Sequence, residues 1–240
     1  MSITSSLNRI GTTVPAIRGP IKRIASSDHY LVPQSGRSVE FFDDFMWSGT
    51  SDGGGPWDVI LGAGCTIVGS TTDSAITLTF DGNADDDEVI LRGASAWYTP
   101  AEGKDFKMEA RLKVARSDGE IFFGMGTHVA IGEETAIADA NALGFQLEGD
   151  LNLEMVCTTG SSAADVDTTF DASTDTYFVA TLEYDGTRDE IRTYVDGVHK
   201  TTTSNPALPV VALSPTIGGR AVGTTSPNIT VDYLYILAEM

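Results

Sequence analysis

From Val39 onward the chain runs in short stretches of β-branched, aromatic and aliphatic residues. Gly, Asp, Asn, Ser or Pro interrupts them every eight to twelve residues. That rhythm predicts an all-β sandwich or barrel. The first candidate strands are Val39–Phe45, Trp57–Ile60, Cys65–Ser70, Ala75–Phe80, Glu88–Arg92, Phe106–Ala115 and Glu120–Thr127. Gly144–Glu148, Leu151–Cys157, Thr176–Tyr184, Glu190–Val195, Val198–Thr203, Leu213–Gly218 and Asn228–Ala238 follow, enough segments for two packed sheets.

Within Phe106 to Val114 every even position is apolar and every odd one charged. A pleated strand with one wet face has this pattern, and a one-residue slip would bury its charges, so the register is fixed. Asp196-Gly197 stands between two β-rich runs and predicts a two-residue type I′ hairpin, and Glu148-Gly149-Asp150 predicts a second hairpin. Residues 131–143 read as a helical turn or two, or as a long loop. The Ser/Thr/Asp-rich stretch near 158–176 reads as low complexity, and no repeat of fixed period is present. The expected core comprises Phe42, Phe45, Trp57, Phe106, Met108, Leu112, Phe122, Phe145, Leu153, Phe178, Leu182, Ile191, Tyr194, Leu234 and Ile236.

Charge divides the chain in two, residues 1–38 and 39–240. The first part carries five basic residues against Asp28, a net of +4, and the second ten basic against 33 acidic, a net of -23. Pro15, Pro20 and Pro33 with Gly11, Gly19 and Gly36 break any helical period in the leader, which therefore reads as an extended arm. Two readings of the arm stand. One is a disordered tail with incidental charge. The other is a partner-binding segment that orders on contact, using Arg9, Ile10, Val14, Ile17, Arg18, Ile21, Lys22 and Arg23.

Composition then removes whole classes of function. The chain has 240 residues and 41% hydrophobic residues, so a core is available without a metal or disulfide scaffold. A formal charge of -19 argues against nucleic-acid binding, which rests on neutralising phosphates. No apolar run approaches a bilayer-spanning length, so no membrane insertion is expected, and Met1 to Ile10 lacks the layout of a signal peptide. Cys65 and Cys157 read as buried thiols, with a single bridge as the alternative.

Five stretches carry a family resemblance. They are Phe41-Phe42-Asp43-Asp44-Phe45 with Trp57, Ile121 to Gly126, Tyr177 to Tyr184 running into Asp185-Gly186, Tyr194-Val195-Asp196-Gly197, and Val231 to Ile236. Together they resemble the concanavalin A-like jelly rolls of legume lectins, laminin G domains and glucanases, over roughly residues 40 to 240, and in particular versions carried by tailed bacteriophages as virion structural proteins. The resemblance implies a two-sheet antiparallel jelly-roll sandwich. It does not fix a function, since this fold hosts lectins, glycosidases and inert assembly modules.

Glucanases of this fold set two glutamates around an aspartate on one strand, and retaining hydrolysis needs the carboxyls about 5 to 5.5 Å apart. The nearest match, Glu148, Asp150 and Glu154, fails on spacing, because its ends would lie about 20 Å apart in an extended strand. His29, His128 and His199 show no triad or metal-ligand pattern. The run from Asp81 to Glu88 starts like a calcium loop, but Asp86 stands where the loop needs Gly and Arg92 where it needs Glu. An irregular divalent-cation site near Asp81, Asp85 and Asp87 is the remaining cofactor candidate. For glycan stacking the candidate rings are Trp47, Trp97 and Tyr98, with a hydrophobic lid on the sandwich edge as the alternative.

These features lead to an expectation of a non-enzymatic virion component, a capsid decoration or head-associated protein. It would sit on the capsid surface after synthesis in the host cytoplasm. The arm would anchor it to the major capsid protein or other virion subunits, and copies would form a homo-oligomer whose weak contacts add through avidity. Two alternatives are carried: a lectin-like module of a tail or head fibre that binds host surface glycans, and a divergent glycan hydrolase.

Overall fold

The computed structural model describes residues 30–34, 38–45, 57–69, 75–81, 88–115, 119–127, 141–147, 149–160, 162–221 and 228–239. Sixteen strands occur among them, and no helix. In chain order they are β1 (Tyr30–Gln34), β2 (Ser38–Asp43), β3 (Trp57–Leu61), β4 (Thr66–Gly69), β5 (Ile76–Thr79), β6 (Glu88–Gly93), β7 (Phe106–Val114) and β8 (Gly119–Gly126). The second half adds β9 (Ala142–Leu147), β10 (Asn152–Thr159), β11 (Ser162–Asp171), β12 (Phe178–Asp185), β13 (Glu190–Val195), β14 (Val198–Ser204), β15 (Ser214–Ala221) and β16 (Asn228–Glu239).

All pairings are antiparallel and build two sheets, the sandwich expected from the strand rhythm. A nine-stranded sheet runs β1-β2-β16-β7-β12-β13-β14, with β5 also on β16 and β4 on β5. A seven-stranded sheet runs β11-β10-β9-β8-β15-β6-β3. The long β16 pairs β5 through Asn228–Val231 and β2 through Leu234–Glu239 on one side, and on the other its register against β7 shifts between Val231 and Tyr233.

Alternate residues of the central strands enter the space between the sheets. Met108, Ala110 and Leu112 of β7 face inward with Leu182 of β12 and Leu234 and Ile236 of β16, opposite Ile121, Phe123, Phe145 and Leu153 of the other sheet. Three expected core residues lie elsewhere. Phe42 and Tyr194 are only partly buried, because the pleat turns Phe41 and Thr193 inward in their place. Thr193 tolerates full burial by sharing a hydrogen bond with Thr201 Oγ1 at 2.7 Å. Phe122 is buried, but on the outer face of the seven-stranded sheet.

Both predicted hairpins form. Asp196 and Gly197 have φ of 50° and 77°, the positive pair that a type I′ turn requires, and β9 pairs β10 around the turn at Gly149-Asp150. Two strands were not expected. The arm boundary at 38/39 falls inside a hairpin, since β1 pairs with β2 from Tyr30↔Phe42 to Gln34↔Ser38, so the sheet begins at Tyr30. The stretch read as low complexity contains β11, an edge strand on β10.

Candidate functional site

Strand register fixes what the seven-stranded sheet shows on its outer face. Ile121, Phe123 and Met125 of β8 belong to the core, so Glu120, Phe122 and Gly124 point outward. One cross-strand row then reads Asp167, Glu154, Gln146, Phe122, Gly218, Ile90, Ile60 from β11 to β3. The next row reads Asp165, Val156, Gly144, Gly124, Thr216, Arg92, Asp58.

The middle of this face is apolar and flat. A Cβ on Gly124 would lie 3.0 Å from the Phe122 ring, and one on Gly144 3.2 Å, so the ring lies down over both glycines. Ile90, Phe122, Ala142 and Val156 form a buried cluster of their own, with Ile60 against it. Carboxylates stand around the strip. Glu120 takes the Arg220 Nε–H at 2.9 Å, and Asp58 takes Arg92 at 3.1 Å. Partial desolvation raises the Asp165 carboxyl above its ordinary value, although the residue is exposed on its edge strand.

This geometry bears directly on hydrolysis. Where a strand with alternating catalytic carboxylates would present three acids, β8 presents Glu120, Phe122 and Gly124. Two carboxylates do stand opposite each other at the β10–β11 pair, Glu154 and Asp167. Asp167 is exposed and uses Oδ1 to accept the Thr169 N–H at 2.6 Å, a local turn contact. In the Glu148, Asp150, Glu154 set, Asp150 likewise accepts the Asn152 N–H at 2.9 Å in the turn. Glu148 lies outside the described residues.

The aromatic candidates separate. Tyr98 is fully buried and stacks on Phe106 with centroids 4.9 Å apart, so its ring is closed to a sugar. Its backbone bridges Leu213, which draws the side chain between the sheets. Burial, then the nearby Tyr184, Asp105 and Glu239, pushes its hydroxyl well above the ordinary phenol range. Trp97 is half-buried against the core and borders the exposed residues Ala94, Ser95 and Ala96. Trp47 lies outside the described residues, as do Asp85, Asp87, His29, His128 and the arm residues from Arg9 to Arg23.

Asp81 is described. Its Oδ2 fills the space that a Cβ on Gly64 would need, 2.0 Å away, and its N–H meets Cys65 Sγ at 3.3 Å. Among the described residues no group of three metal-capable side chains assembles. Cys65 and Cys157 are both buried and unbridged. His199 is exposed on the edge strand β14, with Nε2 2.9 Å from Thr202 Oγ1.

The outer face of the nine-stranded sheet holds a feature that sequence reading missed. A row runs Phe42, Tyr235, Glu109, Thr181, Tyr194, His199 across six strands. Glu109 was expected on a wet face, yet it is buried and accepts the Tyr233 hydroxyl at 2.8 Å and the Thr181 hydroxyl at 3.4 Å. Tyr235 donates to Glu40, and burial, then the Glu40 charge, holds its proton on far above the ordinary range. Strict alternation gave Glu109 no partner, because Tyr233 reaches it only through the β16 bulge.

No family model and no curated protein sequence matches the chain. Solved structures do resemble it. One is an endo-1,3-β-glucanase from Streptomyces sioyaensis, at 16% identity and TM-score 0.59, covering 86% of this chain and 98% of that one. The carbohydrate recognition domain of Emp47p matches at 12% identity and TM-score 0.57, covering 85% and 98%. A prokaryotic β-1,3-1,4-glucanase derived from a mouse hindgut metagenome matches at 15% identity and TM-score 0.56, covering 82% and 98%. At these identities the likeness is one of fold: the chain is a jelly-roll sandwich of the concanavalin A-like kind that lectins and glucanases share.

Proposed function

We propose that this protein is a non-hydrolytic attachment module, a sandwich displayed on a larger assembly. The observation that carries the reading is the outward row of β8, where Phe122 lies over Gly124 and Gly144 and Glu120 is tied to Arg220. A retaining or inverting hydrolase needs two carboxyls flanking the scissile bond; β8 supplies one, and of the facing pair Glu154 and Asp167 on the same sheet face, Asp167 is engaged in a local turn contact. In its specific form the reading makes the chain a virion component of a tailed phage, held to the major capsid protein or another virion subunit by its basic arm. Support for that form comes from the opposite charge of residues 1–38 and 39–240 and from the sequence resemblance.

Two measurements test it. A panel of β-glucans and bacterial polysaccharides incubated with the protein is expected to release no new reducing ends. Turnover that disappears in Glu154→Gln or Glu120→Gln would restore the hydrolase. Particles carrying the full chain are expected to lose it when Arg18, Lys22 and Arg23 are all changed to Glu, and retention would remove the arm from attachment.

The half-buried ring of Trp97 favours one second reading, a module that binds host surface glycans. The flat face of an indole, where it is open to solvent, can stack on a pyranose face. Saccharide binding on a glycan array that is lost in Trp97→Ala would establish it, and an array without signal leaves attachment alone.

A further inference from the structure

Two segments cross one end of the sandwich, and both are uncharged where they are most exposed. Residues 94–105 lead from β6 to β7, and residues 205–213 lead back from β14 to β15. They are tied together where the Tyr98 carbonyl accepts the Leu213 N–H at 2.7 Å and the Leu213 carbonyl accepts the Trp97 N–H at 3.1 Å. Tyr98, Pro209 and Leu213 are buried and hold both segments against the core.

Around those anchors the surface is apolar. Val210 is 81% exposed and Val211 38%, and the same two segments carry exposed Ala94, Ala96 and Ala212 with half-buried Trp97. Residues 201–219 hold no charged side chain, the longest such run of the chain, and residues 93–101 hold none either. A body that is acidic almost everywhere else therefore leaves one rigidly held, uncharged patch open, the mark of an interaction surface.

At their far ends both segments meet an acidic border. The Gly103 N–H reaches the Gly186 carbonyl at 3.0 Å, the Asp105 N–H reaches Glu239 Oε2 at 3.3 Å, and the Asn205 N–H reaches the Asp189 carbonyl at 2.8 Å. Arg188 and Arg192 pair with Asp185 and Glu190. Among the described residues Glu102, Asp105, Asp189 and Glu239 then stand against Lys104. Asp105 accepts the Gly186 N–H and Asp189 the Tyr184 hydroxyl, neutral donors that leave the negative charge in place.

Charge selects the occupant. A second copy would set this border against carboxylates of its own, and an anionic lipid or nucleic-acid surface would meet the same repulsion. A polypeptide with apolar side chains beside Lys or Arg satisfies the patch and the border together. We propose that this end of the sandwich docks such a partner segment, with its apolar side chains on Val210, Val211 and Trp97 and its cations on Glu102, Asp105 and Glu239. The inference goes beyond the attachment reading, which places the anchor in the N-terminal arm, and the particle-retention measurement tests that anchor separately.

Three dye-labelled peptides probe the full-length protein by fluorescence anisotropy: a valine run flanked by lysines, the same run flanked by glutamates, and a serine run flanked by lysines. The valine–lysine peptide alone is expected to bind. Val210→Ser with Val211→Ser should weaken it by about tenfold, and Glu102→Gln with Glu239→Gln by a similar factor. Asp167→Asn, at an exposed carboxylate of β11, should leave it unchanged. Val210 and Val211 are exposed, so their double variant should keep the denaturation midpoint of the parent. Absence of binding would overturn the proposal, as would equal binding of the serine–lysine peptide or an equal loss in Asp167→Asn, either of which reduces the effect to general attraction by an acidic protein. A dimer seen by sedimentation and abolished by Val210→Ser would make a second copy the occupant instead.

Discussion

Trp57 Nε1 donates to Asp43 Oδ2 at 2.6 Å, which ties the first residue of β3 in one sheet to the last residue of β2 in the other. The other oxygen of Asp43 accepts the Phe45 N–H at 2.7 Å, and Phe45 takes a φ of 51° that turns its ring back onto Trp57. Asp43 itself is fully buried. A carboxylate in that position clamps the two sheets at one corner only while its donors remain.

Asp43→Ala leaves the Trp57 indole N–H and the Phe45 amide without this acceptor inside the core. Hydrogen bonds to a charged group contribute about 1.5 to 3 kcal/mol each, so a loss of roughly 3 kcal/mol is expected in urea denaturation. Asp43→Asn keeps one acceptor oxygen and should lose less. Equal losses in the two variants would show that the clamp acts through packing.

Gly144→Ala tests whether the flat outer face is a steric requirement. The added Cβ would lie 2.5 Å from the Phe123 carbonyl oxygen and 2.8 Å from Gly124 Cα, both backbone atoms that a rotamer change cannot move. Overpacking of this kind destabilises by about 1 to 3 kcal/mol. Gly160→Ala meets nothing within 4 Å and makes the control, its φ of 67° carrying only the left-handed strain. A smaller loss at Gly144 than at Gly160 would contradict the close strand approach.

The elements legible in the sequence are those where period and chemistry agreed. In β7 the alternation set both face and register, and Asp196-Gly197 announced its turn. β11 was hidden because an edge strand needs few large apolar residues. Among its described side chains Val166 and Phe170 pack on the core margin, and buried Thr168 bonds the Leu153 carbonyl at 2.6 Å. β1 was hidden by Pro33, a residue that strands accept at a sheet edge, where β1 lies. The outer face of the seven-stranded sheet was illegible for another reason. Glu120, Ile90 and Gly218 are distant in sequence, and only strand order sets them beside Phe122.

Alkaline pH should weaken the fold through Cys157. Burial pushes its thiol up to about 12, and Sγ donates to the Ala207 carbonyl at 3.3 Å. The unfolded chain loses this proton near the ordinary thiol value while the folded chain keeps it, so above that value the folded state binds more protons. Stability is therefore intact below about pH 8.5 and falls by roughly 1.4 kcal/mol per pH unit as pH rises toward 12. Cys157→Ala should flatten the slope of the denaturation midpoint between about pH 9 and 10.5. An unchanged slope would assign the effect to the buried tyrosines, which begin to contribute only above about 10.

Tyr98→Phe is expected to stabilise the protein. The Tyr98 hydroxyl is buried and meets no hydrogen-bond partner among the described residues, while its ring stacks on Phe106. An unsatisfied buried polar group costs about 1 to 3 kcal/mol, and phenylalanine removes it without altering the ring or the stacking. The denaturation midpoint should therefore rise with no change in its denaturant slope. Tyr184 provides the contrast. It too is buried, but its hydroxyl donates to Asp189 Oδ1 at 2.8 Å, so Tyr184→Phe leaves that carboxylate short of a donor and should lower the midpoint. Should both substitutions lower it, an ordered water must bridge Tyr98 to the nearby Asp105 and Glu239 carboxylates, and a crystal structure would show that water directly.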